Sequence, residues 1–347
     1  MHILACLGAH GQGGAETYFV RLSRALIESQ HTVTAAIYHH PHKTSKRADH
    51  LRAMGAQVVT LPFAGRWDFY TRRKLAALSA QADGVIAFMS RAASLLSPPT
   101  AAPHIGRLGG YYDLNRFTNC DHLIANTPAL ADWITRQGWS EKYVSVIPNH
   151  APIIKGSSPC TGKRQLLALG RYHPNKGFDI LLNAVAMVPN AQLMLVGSGP
   201  LETKLRHQAE HLGITYRVKF LPWQSEISPL VHTCDLVVIP SRVEPLGNVV
   251  LDAWGHQRAV IASDVGGLSW LIDHERNGLL VPPENPEALA DAIRRGLEDH
   301  HLITRLIQQG SQTFQDRFTA QRVIPQWINL IDRLRQYPQQ RRRWRPE

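Results

Sequence analysis

The chain has 347 residues, of which 44% are hydrophobic and 19% are charged, a composition typical of a globular protein long enough for two domains. An apolar strand follows Met1 directly, and no run approaches about 18 uninterrupted apolar residues, so we expect neither an export signal nor a membrane-spanning helix. The cysteines show neither CxxC spacing nor clustering with histidines, which predicts free thiols in a reducing compartment and no zinc site. They are Cys6, Cys120, Cys160 and Cys234.

The net charge of +11 is unevenly distributed along the chain. Residues 1–158 contain 16 Lys and Arg against 9 Asp and Glu, residues 159–324 contain 16 of each class, and residues 325–347 contain 6 against 2. A basic first part and a basic tail indicate an anionic partner, either nucleic acid or the anionic face of a membrane. We favour the membrane surface and predict no nucleic-acid binding, because the chain has no nucleic-acid motif and its aromatic residues do not form a stacking platform.

The first predicted elements are a strand at residues 2–7, a glycine-rich loop and an amphipathic helix. The loop lacks the GxGxxG spacing and does not predict a dinucleotide site. Gly13 and Gly14 at the start of the helix would let the backbone approach a diphosphate closely, so both are candidate substrate-binding residues. The alternative is a turn that serves only helix–sheet packing. Further strands are predicted at residues 33–38 and 57–61.

A basic, aromatic segment opens the next predicted helix. This composition is typical of an interfacial contact, and we predict that the segment meets either a membrane or the acceptor substrate. The alternative is a core helix with a solvated basic face. The residues concerned are Trp67, Phe69, Tyr70, Arg72, Arg73 and Lys74.

Four more apolar runs complete a first Rossmann-like domain, which is predicted to span residues 1–158 and to end in a linker rich in proline, glycine and serine. A flexible turn is predicted at residues 109–112, after the second of these runs. The four predicted strands lie at residues 85–89, 104–108, 123–127 and 143–147.

The second predicted domain, residues 159–324, begins with a strand at residues 165–170. Arg171 follows this strand and Lys176 lies five residues later, which places two cations at the carboxyl edge of a parallel sheet. Two fixed cations suit a diphosphate. The alternative is a pair of solvated surface cations.

The strand predicted at residues 235–240 leads through a turn into a helix, at the position where open α/β sheets bind ligands. Glu244 occupies this turn, and Asp252 lies on the helix eight residues later. Backbone N–H groups at the start of the helix would meet a hydroxyl-rich or anionic ligand together with the Glu244 carboxylate. The residues that supply these groups are Leu246, Gly247 and Asn248.

Together these motifs resemble the retaining nucleotide-sugar glycosyltransferases of the GT-B fold, family 4, whose signature at this turn is Glu, seven residues, Glu. Here the second acid is Asp252. The resemblance implies an α/β protein with two Rossmann-like domains whose parallel sheets face each other across a central cleft. The segment from Phe318 to Ile331 predicts a long amphipathic helix broken near Pro325. The resemblance implies that this helix returns with residues 325–347 to the first domain. Many relatives carry a histidine in the segment that corresponds to residues 85–91, where this chain has none.

The same resemblance implies roles for the candidate residues. Glu244 binds hydroxyls of the donor sugar, Asp252 binds the ribose, and Arg171 with Lys176 neutralises charge on the departing diphosphate. Trp223 follows a strand whose next loop holds the nucleobase in relatives, and it either stacks on the base or merely packs.

The predicted function is therefore transfer of a sugar, with retained configuration, from a nucleotide-diphosphate donor to an acceptor such as lipopolysaccharide or another lipid-linked or cell-envelope saccharide. The chain has no Asp-x-Asp motif, so we expect no metal or other cofactor, because arginine and lysine supply the cations. We expect a cytoplasmic protein at the periphery of the inner membrane. The alternatives are a catalytically silent sugar-nucleotide-binding subunit and a nucleotide-sugar epimerase of the same fold.

Overall fold

The chain divides into two compact units, which we call unit 1 (residues 1–150 and 320–347) and unit 2 (residues 151–319). The first division falls eight residues before the predicted boundary at 158, and the return to unit 1 begins five residues before the predicted position 325. Cys160 and the basic tail at residues 341–345 lie outside the described residues. The computed structural model describes residues 1–11, 13–38, 45–65, 67–98, 101–154, 162–224 and 226–338.

Unit 1 is built on a parallel sheet. Its strands are β1 (His2–Leu7), β2 (Thr32–Tyr38), β3 (Gln57–Leu61), β4 (Gly84–Phe88), β5 (His104–Leu108), β6 (His122–Ala125) and β7 (Val144–Val146). They lie in the order β3-β2-β1-β4-β5-β6-β7, and every neighbouring pair is parallel. The chain thus builds outwards from β1 in one direction and from β4 in the other, which is the doubly wound pattern of Rossmann-like domains. All residues of β4 and β5 are buried, because helices cover both faces of the sheet.

Helices connect the strands of unit 1 in sequence. In α1, the buried side chains of Tyr18, Phe19, Leu22 and Leu26 fall at helical spacing and pack on the sheet, which explains why this segment is helical. The helices that precede the chain's entry into unit 2 are α1 (Gly14–Glu28), α2 (Lys46–Ala53), α3 (Phe69–Ser79), α4 (Met89–Leu95) and α5 (Pro128–Arg136).

Unit 2 repeats the same architecture. Its strands are β8 (Gln165–Leu169), β9 (Gln192–Val196), β10 (Val218–Leu221), β11 (Leu236–Ile239), β12 (Ala259–Ser263) and β13 (Leu279–Val281), all parallel, in the order β10-β9-β8-β11-β12-β13. Two parallel, doubly wound sheets confirm the predicted α/β class with two Rossmann-like domains. The helices are α6 (Phe178–Ala186), α7 (Glu202–His211), α8 (Ser228–Thr233), α9 (Asn248–Gly255), α10 (Gly266–Leu271), α11 (Pro286–Glu298) and α12 (His300–Arg317).

The last helix, α13 (Ala320–Gln336), returns the chain to unit 1, where Trp327 and Ile331 are buried in the core. The predicted break near Pro325 is wrong, because the interruption falls between α12 and α13 and Pro325 lies inside α13. Pro325 is exposed, so the carbonyl of Gln321 that loses its helical donor faces water, and the buried residues on the opposite side keep the helix continuous. Neither this helix nor any other in the described part of the chain is both long enough and apolar enough to cross a membrane.

Candidate active site

The strand order of unit 2 reverses where β8 and β11 lie side by side, with Leu166 paired to Leu236. Open parallel sheets bind ligands at such a point, because the loops that leave the two strands run in opposite directions and leave a crevice. Arg171 follows β8, and Glu244 lies in the loop that follows β11. The predicted residues of both loops therefore lie at the same edge of the sheet.

An ion pair joins these two loops. Lys176 Nζ lies 2.5 Å from Glu244 Oε2, and the two side chains are 26% and 13% exposed. The Ser241 hydroxyl donates to the same carboxylate oxygen at 3.4 Å. Arg171 is exposed and has no hydrogen-bond or ion-pair partner among the described residues. The edge thus presents a shielded cation and carboxylate in contact, with a second cation open to a ligand.

A close backbone approach places Lys176 at this edge. Lys176 ends a short 3-10 turn (Pro174–Lys176), and the next residue, Gly177, has a φ of +61°. A Cβ at Gly177 would overlap the carbonyl oxygen of Pro240, directly after β11. Only glycine therefore lets the turn lie close enough to β11 for the Lys176 ammonium to reach the carboxylate.

Arg242 braces the same turn, and the sequence does not predict this role. Its backbone N–H donates to the Asn175 carbonyl at 2.8 Å and its Nη1 to the Pro174 carbonyl at 2.7 Å. The guanidinium also makes two hydrogen bonds to Asp179, of 2.8 and 2.7 Å, and pairs with Glu284. Hydrogen bonding to Asp179 and then to Glu284 raises the pKa of Arg242, so this brace keeps its charge.

The turn that holds Glu244 enters α9 through Gly247, which has a φ of +101° and caps the helix without a side-chain hydrogen bond. The glycine pair at the start of α10 holds the turn, because the Gly267 N–H donates to the Glu244 carbonyl at 2.8 Å. A Cβ at Gly267 would overlap Leu246 Cα. The peptide groups of Leu246, Gly247 and Asn248 thus lie at a helix start, whose positive dipole end favours an anionic or hydroxyl-bearing ligand.

Two other predicted residues lie on α9 and after β10. Asp252 is in the second turn of α9 and is only 7% exposed. Trp223 is 38% exposed and follows β10, the edge strand, which β9 separates from β8. The structure therefore brings Lys176 and Glu244 into contact and places Asp252 along the helix and Trp223 along the sheet edge.

The glycine loop of unit 1 holds a carboxylate that the sequence does not assign. Gly13 caps α1, and Gly14 is its first helical residue. A Cβ at Gly11 would lie 2.6 Å from Glu16 Oε1, and one at Gly13 would lie 2.9 Å from Oε2. Arg47 donates to the Gly11 carbonyl. Glycines at positions 11 and 13 thus leave room for the Glu16 carboxylate, which lies near the Arg47 guanidinium.

The basic, aromatic segment of unit 1 is open to solvent. Trp67, Phe69 and Tyr70 are 76%, 69% and 66% exposed, so these rings are not part of the core. Arg72 donates to a backbone carbonyl of α4 at 3.0 Å. The remaining cations of the segment, Arg73 and Lys74, are exposed.

Two family models match the chain, one in each unit. The model described as "Glycosyltransferase Family 4" matches residues 12–151, and the model described as "Glycosyl transferases group 1" matches residues 163–299. Two proteins of Rhizobium meliloti (strain 1021) are similar over nearly the full length. The lipopolysaccharide core biosynthesis glycosyltransferase LpsE is 30% identical over 336 residues, which cover 92% of this chain and 96% of LpsE. The corresponding protein LpsD is 32% identical over 335 residues, which cover 93% and 96%.

A solved structure with a similar fold is Anabaena Alr3699/HepE in complex with UDP. It has a TM-score of 0.82 at 22% identity and covers 96% of this chain and 100% of its own. The same protein in complex with UDP-glucose has a TM-score of 0.82 at 21% identity. At this identity the similarity supports the fold alone, and both units take part in it.

Proposed function

The chain belongs to glycosyltransferase family 4, and on that premise we propose that it moves a sugar, with retained configuration, from a nucleotide-diphosphate donor to a saccharide of the lipopolysaccharide-core type. The names of the two Rhizobium relatives support the acceptor class. The neighbour solved with UDP and with UDP-glucose supports the donor class. The observation that carries the proposal is the contact between Lys176 and Glu244 at the reversal of strand order.

In this proposal the cations and the carboxylate act on different parts of the donor. Arg171 and Lys176 bind the diphosphate and stabilise the negative charge that develops on it, an effect worth about 3 to 4 kcal/mol for one well-placed donor group. Glu244 binds hydroxyls of the sugar beside the amides that open α9. Because Lys176 and Glu244 are partners before the donor arrives, the donor replaces their ion pair with contacts to both groups, so that Lys176 faces the diphosphate and Glu244 accepts hydrogen bonds from the sugar.

Retention follows, in this proposal, from attack on the face from which the diphosphate leaves. The departing phosphate oxygen accepts the proton of the acceptor hydroxyl, so no separate base is needed. No metal or other cofactor takes part, because Arg171 and Lys176 supply the positive charge that a divalent ion would bring to a diphosphate.

The donor class can be tested by thermal stabilisation with a panel of nucleotide sugars and nucleoside diphosphates, with the monophosphates as controls. A ligand at about 100 times its Kd adds about 2.7 kcal/mol to the free energy of unfolding. Stabilisation by diphosphates and nucleotide sugars alone supports the proposal, and no effect from the whole panel contradicts it. Binding without transfer would instead indicate a silent subunit, and conversion of the donor sugar without acceptor would indicate an epimerase.

We expect Asp252→Ala to weaken binding of the nucleoside diphosphate about tenfold, because a hydrogen bond to a charged group is worth about 1.5 to 3 kcal/mol. The aspartate side chain is about 1.5 Å shorter than glutamate, so either the helix lies close to the ribose or a water bridges the gap. Asp252→Glu is expected to bind as well as wild type or more tightly. Calorimetry with the nucleoside diphosphate is the measurement, and pyrophosphate, which has no ribose, is the control ligand. Normal diphosphate binding by Asp252→Ala would place the ribose contact elsewhere.

We also propose that unit 1 holds the protein at the anionic cytoplasmic face of the inner membrane. Unit 1 carries 22 Lys and Arg against 11 Asp and Glu, whereas unit 2 carries 16 of each, so the whole net charge belongs to unit 1. The exposed rings of Trp67, Phe69 and Tyr70 lie beside part of this charge. Exposed aromatic rings beside cations suit the interface between headgroups and water.

Neutralising Arg73 and Lys74 with glutamine is expected to weaken binding to anionic vesicles about fivefold for each charge, because one cation near such a surface is worth about 1 kcal/mol. Trp67→Ala should weaken it further, and added salt should weaken binding of the wild type. Vesicle sedimentation is the measurement, and Tyr216→Ala is the control, since Tyr216 is 82% exposed but lies in unit 2. Equal sedimentation of wild type with neutral and anionic vesicles would contradict the proposal.

A further inference from the structure

A cavity of about 340 Å³ lies wholly within unit 1, and none of the residues assigned above lines it. Its walls come from the segment that follows β5 and from α5. Its volume is in the range of small-molecule sites, which is about 300 to 1,000 Å³.

One wall of the cavity is aromatic. Tyr111 is 55% exposed, and its ring lies edge-on to that of Trp133, with centroids 5.2 Å apart and an interplanar angle of 84°. A large ring that stays half exposed while it is held by a second ring offers an ordered apolar face to a ligand. The flat face of a pyranose, which carries C–H groups, fits such a surface.

Three further lining residues are polar, and none of them carries a positive charge. They are Asp113, Asn115 and Gln137. Asp113 accepts a hydrogen bond from the Asn115 N–H at 3.0 Å, which fixes its carboxylate, and Gln137 caps the end of α5. A carboxylate accepts hydrogen bonds, and an amide both donates and accepts, as neighbouring sugar hydroxyls require. No lysine or arginine lines the cavity, which is formed entirely by described residues. Just outside the lining, Arg116 Nε lies 3.7 Å from Asp113 Oδ2, so these two opposite charges balance and the cavity favours a ligand without net charge.

We propose that this cavity binds a neutral pyranose unit of the acceptor saccharide. The sugar ring stacks on the wall formed by Tyr111 and Trp133, and its hydroxyls bond to Asp113, Asn115 and Gln137. The assignment rests on the proposed function, since it takes the acceptor to be a saccharide. It makes this cavity a determinant of acceptor choice, while the charged groups of the donor site determine the donor.

Binding can be tested without turnover by fluorine NMR of the full chain labelled with 5-fluorotryptophan. The probe is a neutral oligosaccharide of hexopyranose units, free of phosphate and carboxylate groups, and Trp133→Phe assigns the resonance. We expect a saturable shift of the Trp133 signal that Tyr111→Ala and Gln137→Ala weaken about tenfold. Tyr216→Ala, which removes an exposed ring from unit 2, should leave the titration unchanged. A Trp133 signal that does not move at millimolar oligosaccharide would overturn the proposal.

Kinetics give a second test. Tyr111→Ala and Gln137→Ala are expected to raise the acceptor KM about tenfold, with donor KM and donor hydrolysis unchanged, because the contact is to the acceptor alone. Unchanged acceptor KM in both variants would overturn the assignment while leaving the proposed function intact. Conversely, a saturable Trp133 shift in a protein that transfers no sugar would keep the cavity's assignment as a saccharide site and reject the proposed transfer.

Discussion

A Lys176→Met variant is expected to turn over at least about 100-fold more slowly than wild type, because one pre-organised contact to developing charge is worth about 10² to 10³ in kcat. The ammonium of Lys176 lies 2.5 Å from the Glu244 carboxylate, so methionine removes both the cation for the diphosphate and the group that holds the carboxylate. Arg171→Ala should slow turnover by a comparable factor. Release of nucleoside diphosphate at saturating donor and acceptor is the measurement.

The matched control for this change is Lys204→Met, since Lys204 is an exposed lysine on α7 in the same unit. Its turnover should equal that of wild type. Thermal unfolding of Lys176→Met measures what loss of this shielded ion pair costs in stability, and circular dichroism at the assay temperature verifies that the variant is folded. Turnover within threefold of wild type in either Lys176→Met or Arg171→Ala would remove the assignment of the diphosphate site.

Gly177→Ala is expected to lower both stability and turnover. A side chain at a left-handed φ costs about 1 to 2 kcal/mol, and forced overlap costs about 1 to 3 kcal/mol more. The overlap is with the Pro240 carbonyl, so the backbone itself must move. Lys176 directly precedes Gly177 and moves with the backbone of the turn. We therefore expect kcat to fall by at least about tenfold. Thermal unfolding and diphosphate release are the measurements.

Gly213→Ala separates the cost of a left-handed φ from the cost of the overlap with the Pro240 carbonyl. Gly213 has a φ of +65°, close to the +61° of Gly177, but a Cβ there would meet no atom within 4 Å. Gly213→Ala should lower the free energy of unfolding by only about 1 to 2 kcal/mol and leave turnover unchanged. Equal losses of stability and turnover in the two variants would show that close approach to β11 does not position Lys176.

Arg171, Lys176 and Glu244 could be placed at one sheet edge from the sequence because that placement depends on local features. A short apolar run followed by a turn and a helix predicts a parallel strand, and all such strands end at the same edge. The structure gives the strand before Glu244 as β11, whose four residues are all buried. The fold class followed from the same pattern and from the family motifs.

Contacts between distant segments could not be predicted in this way. Arg242 is 63 residues from Asp179, and no periodicity in the sequence shows that its guanidinium reaches back to α6. Residues 109–112 predict only a flexible turn, because the contact of Tyr111 with Trp133 depends on how α5 packs. Pro325 was expected to break a helix, but on an exposed face it costs one hydrogen bond that the buried residues offset.

In the proposed mechanism, Lys176 and Glu244 form the centre of a metal-independent, retaining sugar transfer. This mechanism is tested most directly by incubating the protein with the stabilising nucleotide sugar, a lipopolysaccharide-core acceptor and excess EDTA, and by determining the anomeric configuration of the product by NMR. We predict a product with the configuration of the donor, formed equally with and without EDTA, and at least about 100-fold less of it at early times with Lys176→Met. An inverted product, a requirement for added magnesium or manganese, or a fully active Lys176→Met variant would contradict this mechanism.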